Sequence, residues 1–234
     1  MTGLARFYKT VGIAENDGRY HVRLDGKPIK TPHRATLALP SRALAEAVAG
    51  EWRAQGEKID LENMPLTRLA NVAAELAPEH RAEAAARILA FGKSDHLCYR
   101  ADTSAELARR QAVAWDPLLD WAATALGAPL ATGEGIAFVE QSPGTLAALE
   151  KAILAHEAYG LTALHSAAAI TGSLVLALAL AKGRLGARKA FELSRLDEAF
   201  QAEKWGRDAA AEKRAERLAA ELEAAERFMR LAAA

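Results

Sequence analysis

AENDGRYHVRLDGKPIK, residues 14–30, sets the fold of the first part of the chain. Asn16-Asp17-Gly18 and Asp25-Gly26 are hairpin signals, because glycine takes a positive φ without a Cβ clash and the short polar residues before it tolerate the same region. Between them, alternation puts Tyr20, Val22 and Leu24 on one face of a strand. Working outward, Phe7–Ile13, Pro28–Lys30 and Thr36–Leu39 are further short β-type runs, the last two separated by Thr31-Pro32. This predicts a small antiparallel sheet.

From Ser41 the period changes. Ser41 is placed to cap a helix to about Gln55, with Leu44, Val48 and Trp52 four residues apart along one side. Pro65 opens a helix over Leu66–Leu76, and Leu66, Leu69, Ala70, Ala73 and Leu76 keep helical spacing. Pro78 opens a segment to Phe91 ending on Gly92 as a C-cap, and Asp116-Pro117 and Ser142-Pro143 each set a capping side chain before a proline. A β-like run at Ile136–Glu140 interrupts the helices, and beyond Gly186 one long helix is expected almost to the C-terminus. Its distal stripe is Leu218, Leu222, Ala225 and Met229, with Glu223–Arg227 and Glu226–Arg230 as i, i+4 pairs. The fold class is therefore α+β: residues 1–64 a β-rich N-terminal domain with one helix, residues 65–234 a larger α-helical domain.

Composition narrows the function. Of 234 residues 51% are apolar, enough for a real core, and thirty basic residues balance thirty acidic ones. Nucleic-acid binders ordinarily carry a basic excess for phosphate contacts, and none is present. Cys98 is the single cysteine, which rules out an internal disulfide and suits a reducing compartment. The few residues between Met1 and Phe7 carry neither a signal peptide nor an Arg/Ser-rich transit pattern. Ala167–Ala181 is apolar but shorter than the roughly 20 residues a bilayer needs, and reads as one helix buried in a bundle rather than inserted in a membrane.

Reactive chemistry is sparse. Gly92-Lys93-Ser94 resembles the tail of a phosphate-binding loop, but Arg87 stands where that loop needs glycine. The six histidines are never at i, i+4 spacing and Cys98 has no second thiol, so neither metal nor cofactor is expected. Asp95, His96 and Cys98 lie close together and support an alternative: an enzyme or small-molecule binder using an interdomain cleft.

The informative surface is FELSRLDEAFQAEKW, residues 191–205. At about 100° per residue, Leu193, Leu196 and Phe200 form a core stripe, while Phe191, Glu198, Gln201 and Trp205 gather on the other side. A tryptophan beside an acid and an amide is the mixture found in protein-binding patches. The same face would also suit burial against a neighbouring helix with Glu198 paired to an arginine. Trp52, likewise, fits either packing or contact.

Beyond these patterns the chain resembles the F1-ATP synthase assembly chaperones that bind the α subunit in mitochondria and many α-proteobacteria. The matching fragments are Arg6-Phe7-Tyr8-Lys9 with Val11, Leu24-Asp25-Gly26-Lys27-Pro28 through Thr31-Pro32, Glu51-Trp52 with Gln55, and Met64 through Asn71. Asp95, Tyr99-Arg100, Trp115 through Leu119 and Phe200 through Gly206 follow in the same order. The resemblance implies a β-rich domain followed by a helical one, and a non-enzymatic holding chaperone for the free F1 α subunit. It implies that the family's sensitive acid corresponds to Glu198 and its sensitive tryptophan to Trp52. Contact residues are thus expected at Glu198, Gln201, Trp205, Phe191 and Trp52, in the bacterial cytoplasm or, for a matured eukaryotic chain, the mitochondrial matrix. One departure is the alanine run Ala209–Ala211 after Asp208, where relatives carry acids and aromatics.

Overall fold

The computed structural model describes residues 4–234, so Met1–Gly3 of the segment read before Phe7 lie outside the described residues. β1 (Val11–Asn16) and β2 (Arg19–Leu24) pair antiparallel, and β3 (Lys27–Pro28) adds to β2 in the order β1-β2-β3. Both turns follow the sequence signals: φ is +51° and +69° at Asp17 and Gly18, and +46° and +78° at Asp25 and Gly26. Positive φ at both central residues is what a type I′ turn requires. Val22 and Leu24 are buried on the inner face with Tyr20 at its margin.

Two expected strands are corrected. Phe7–Thr10 is not in the sheet, because the Asp25 carboxylate takes the amides of Lys9 (3.1 Å) and Thr10 (2.8 Å) and so ties that segment down. Those hydrogen bonds, the Thr10 amide foremost, also hold the acid below the usual carboxylate range. Thr36–Leu39 makes only the single bridges Lys30↔Thr36 and Tyr20↔Leu39.

α1 (Arg42–Arg53) packs on β1 and β2 and buries Leu44 and Val48, with Ser41 Oγ accepting the Leu44 amide at 3.1 Å. α2 (Pro65–Glu75) starts at its proline without a cap of its own. Glu51 of α1 supplies it, accepting from the amides of Leu66 and Thr67 at 2.8 Å each and from the Thr67 hydroxyl at 2.6 Å. The first compact unit holds these elements up to Arg81, plus Ala158–Ala163 and Arg227–Ala234. The late segments are fixed by Tyr159, whose hydroxyl donates to the Ala38 carbonyl (2.7 Å) and whose ring stacks on Phe228.

The second unit comprises Ala82–Glu157 and Leu164–Glu226. It contains α3 (Arg81–Lys93), β4 (Tyr99–Arg100) parallel to β5 (Gly133–Glu134), α4 (Ala105–Leu126), α5 (Pro143–Leu154) and most of α6 (Ala158–Thr171). α7 (Leu174–Ala181), α8 (Ala187–Ser194), α9 (Leu196–Trp205) and most of α10 (Ala209–Ala232) follow. α7 lies at the centre, with every residue from Leu174 to Leu180 buried. No helix among the described residues is long and apolar enough to cross a membrane.

Several expected helices have other bounds. Ala167–Ala181 is broken at Gly172 (φ +66°), where Ser173 caps α7 through the Leu176 amide. Gly92 is inside α3, not at its end; a Cβ there would lie 2.9 Å from both Leu149 Cδ1 and Leu174 Cδ2, so the position is glycine for packing. Pro117 is internal to α4, which Ser104 caps instead. Its missing N–H frees the carbonyl of Val113, an exposed residue, which lessens the penalty. Asp116 pairs with Arg100 at 2.6 Å rather than capping. Ile136–Glu140 is a loop, not a strand. In α10 Leu222, Ala225 and Phe228 are buried, and Glu226 turns away from Arg230 to accept the Ala187 amide at 3.1 Å. Ser142 caps α5 through the Thr145 amide as its sequence signals.

Candidate functional site

The single long helix expected after Gly186 is three helices, and the break is what shapes the candidate surface. The buried Trp115 indole donates to the Leu193 carbonyl at 2.9 Å, taking an acceptor out of the helical ladder. Arg195 then leaves helical geometry (φ −111°, ψ +18°), its amide shared between the carbonyls of Phe191 and Glu192. α9 ends at Gly206 (φ +91°), and Asp208 caps α10 by accepting the Ala211 amide at 2.8 Å.

α9 is fastened to α4 by charge and ring contacts. Phe200 is buried between the guanidinium of Arg110 and the ammonium of Lys204, 5.1 and 5.2 Å from its ring centre. Arg110 pairs with Glu106 and Glu203 at 2.9 and 2.7 Å, and Lys204 closes the network on Glu106 at 3.1 Å. Gln111 donates to Asp197 at 2.8 Å. Leu193 and Leu196 are half-buried, and only Phe200 of the expected core stripe is deep.

The opposite side of α9 is free. Glu198 is exposed and pairs with Arg195 at 2.6 Å; Gln201 is exposed; Trp205 is 78% exposed. At Glu198, α8, α9 and the start of α10 border an open cavity of about 370 Å³. Phe191, Ala199, Ala202, Ala211 and Ala215 line it together with the charged Arg195, Glu198, Glu203, Arg207, Asp208 and Glu212. Phe191 and Glu198, two turns apart, line one cavity although the helix breaks between them, whereas Gln201 and Trp205 stand outside its lining. Glu198 does pair with an arginine, but at the surface rather than beneath a neighbouring helix.

Trp52 belongs to the first unit, apart from these four. It is half-buried, its carbonyl accepts the Tyr8 hydroxyl at 2.7 Å, and its ring meets Tyr8 edge-on at 5.6 Å. Its indole Nε1 is buried without a partner. With the buried Tyr8 and the exposed Phe7, Lys27, Pro28 and Lys30 it lines a depression of about 320 Å³.

The Asp95–His96–Cys98 cluster is built for packing. Asp95 is fully buried and accepts the amides of Val175 (2.9 Å) and Leu97 (3.1 Å), joining two helical starts; burial pushes its carboxyl up against those bonds. His96 lies edge-on to Trp115 with Nε2 buried and unpartnered. Burial, with Asp95 nearby, drives the Cys98 thiol up to about 12, and Gln141 donates to its sulfur at 3.8 Å. A thiol so placed is a weak nucleophile. No group of three or more His, Cys, Asp or Glu among the described residues could hold a metal ion.

Sequence reasoning missed Glu51, Arg110 and Gln111, whose roles depend on partners far away in the chain. Glu51 sits fifteen residues before Leu66, the first amide it caps, and nothing local marks it.

These features describe a class: an α+β chain whose apolar and charged side chains are displayed at the surface, while its thiol and its buried carboxylate serve packing. Residues 5–123 match the family model of the ATP12 chaperone protein, and the chain belongs to that family. It is 46% identical to Atp12 from Paracoccus denitrificans, whose crystal structure superposes with a TM-score of 0.92 over 98% of each chain. A chaperone candidate from Agrobacterium tumefaciens is 38% identical, with a TM-score of 0.93 over 97% of this chain and 85% of that one. The mitochondrial protein atp12 of Schizosaccharomyces pombe is 25% identical over 213 residues, 86% of this chain and 73% of its own.

Proposed function

We propose that this chain is an assembly chaperone of ATP synthase that binds the free F1 α subunit and covers its subunit-interface surface until the β subunit takes its place. An unassembled ring subunit exposes apolar area that its neighbour would cover, and such patches drive aggregation. A protein that occupies the patch lowers the concentration of the sticky species by mass action and needs no ATP. The observation that carries the reading is Trp205, 78% exposed on a helix otherwise fastened down and on the same side as Glu198, which pairs with Arg195 and lines the cavity between α8, α9 and α10. Glu198, Gln201, Trp205 and Phe191 form the contact face, and Trp52 a second contact in the other unit. A free exposed tryptophan is an expected anchor for a protein partner. The setting is the bacterial cytoplasm, or the mitochondrial matrix for a matured eukaryotic chain.

The test is co-expression of the host α subunit with wild-type or Glu198→Lys chaperone, reading soluble α subunit. Glu198 is exposed, so the variant is expected to fold normally and to lose most of the protection. Equal protection by a folded variant would place the contact elsewhere. No rise in soluble α subunit with the wild type would end the α-subunit reading itself.

A further inference from the structure

Residues 133–140, GEGIAFVE, form a loop whose construction is at odds with its surface. Its base is fixed on several sides. Tyr99 and Arg100 pair in parallel with Gly133 and Glu134, and the Gly135 amide donates to the Arg100 carbonyl at 2.8 Å. Gln141 closes the far end, accepting the Ala131 amide at 2.8 Å and donating back to the Ala131 carbonyl at 3.0 Å. Val139 folds back under the loop, so close that a Cβ on Gly133 would lie 2.6 Å from its methyl. Gly135 turns the chain with φ +69°, where a Cβ would meet the Asp102 carboxylate at 2.7 Å.

On this base stand Ile136, 102% exposed, and Phe138, 70% exposed. Single exposed apolar residues are ordinary, but two large ones displayed together on a loop anchored at both ends are not. Their surroundings are of one sign. Glu134 and Glu140 flank them in sequence, Asp102 lies against the turn, all three are exposed, and none joins an ion pair among the described residues. Arg100, at the base of the loop, is largely buried and committed to Asp116.

We propose that this loop is a second docking element, an apolar knob in an acidic collar that seats in an apolar pocket of the client subunit bordered by lysine or arginine. The proposal rests on the reading of the client as F1 α subunit. A knob already held in shape loses little conformational freedom on binding, and the collar steers and orients the encounter while the knob supplies the buried contact.

The experiment measures binding of purified host F1 α subunit to the full chain by surface-immobilised titration at low and high salt. Ile136→Ser/Phe138→Ser is expected to keep the wild-type melting temperature and to weaken binding at least tenfold, chiefly through faster release. Glu134→Lys/Glu140→Lys is expected to slow association several-fold and to flatten its salt dependence. Wild-type affinity in both variants overturns the proposal and leaves the α-subunit reading intact. Failure of the wild type to bind α subunit overturns both. Sedimentation supplies the remaining arm: a wild-type dimer that becomes monomeric in the serine variant would assign the knob to a second copy of this chain and also overturn the proposal.

Discussion

Replacing Glu51 by alanine removes the acceptor of three donors at the start of α2. The Leu66 and Thr67 amides and the Thr67 hydroxyl all end on its carboxylate at 2.6–2.8 Å, and both residues are 1% exposed. Pro65 at the first helical position has no N–H, so these are the first orphan donors of the helix, and water has poor access to them. A hydrogen bond to a charged group contributes about 1.5–3 kcal/mol, and a buried donor left unpaired costs about 1–3 kcal/mol. The three bonds share one carboxylate and are not additive, so the expected loss is about 3–5 kcal/mol. That is a large part of the roughly 5–15 kcal/mol that holds a typical domain together. Glu51→Gln, which keeps one acceptor oxygen, is expected to lose about half as much. The assay is urea unfolding followed by far-UV circular dichroism, with the midpoint compared at constant slope. A loss below about 1 kcal/mol for Glu51→Ala would refute the reasoning, since it would mean that the amides find another acceptor without rearrangement.

Two further expectations follow from the titrating groups. With its thiol raised to about 12, Cys98 should react with a chromogenic disulfide at pH 8 more than a hundredfold slower in the native chain than in urea, and a fast native reaction would contradict its packing role. Glu75 is lowered from the ordinary 4.5 to about 2 by a hydrogen bond from Thr31 and by the amide and ring of His33, the ring at 2.7 Å. A depressed carboxyl stabilises the fold above its unfolded value and loses that contribution as pH falls through the folded one. Wild type should therefore lose stability between about pH 4.5 and pH 2 more than Glu75→Gln does, and parallel acid-unfolding curves would remove Glu75 from the account.

The hairpins were legible because their cause is local. Asp17-Gly18 and Asp25-Gly26 occupy positive φ at adjacent positions, a demand that few residue pairs meet and that the sequence states outright. Ser41 and Ser142 were legible for the same reason, each capping a helix through an amide three residues on. Pro117 misled because a proline after an acid is a start signal only when the preceding turn is not already helical, and Ser104 had begun α4 twelve residues earlier. The β-branched and aromatic residues of Ile136–Glu140 look like a strand, yet strand formation needs a partner edge and β4 offers only two residues.

The exposed side of α9 follows the spacing, but the helix expected to carry it is not continuous. Glu198, Gln201 and Trp205 share an exposed side of α9 as their spacing requires, and Phe191 lines the same cavity as Glu198 from a separate helix, the chain breaking between them at Arg195. Neither glycine nor proline marks that bend. The indole of Trp115, seventy-eight residues away, captures the Leu193 carbonyl and so decides where the ladder fails.

Sequence by itself determined the two hairpin turns, the caps that sit beside the helices they start and the α+β class, because each depends on dihedral preference, spacing or an acceptor within a few residues. Tertiary structure alone decided that α2 is capped by Glu51, that α8 and α9 are separate, and that Arg227–Ala234 return to the first unit. Backbone donors and acceptors at helix ends must be satisfied by something, and when the nearest residues leave them open, the partner is chosen by packing among groups that the linear chain never places together.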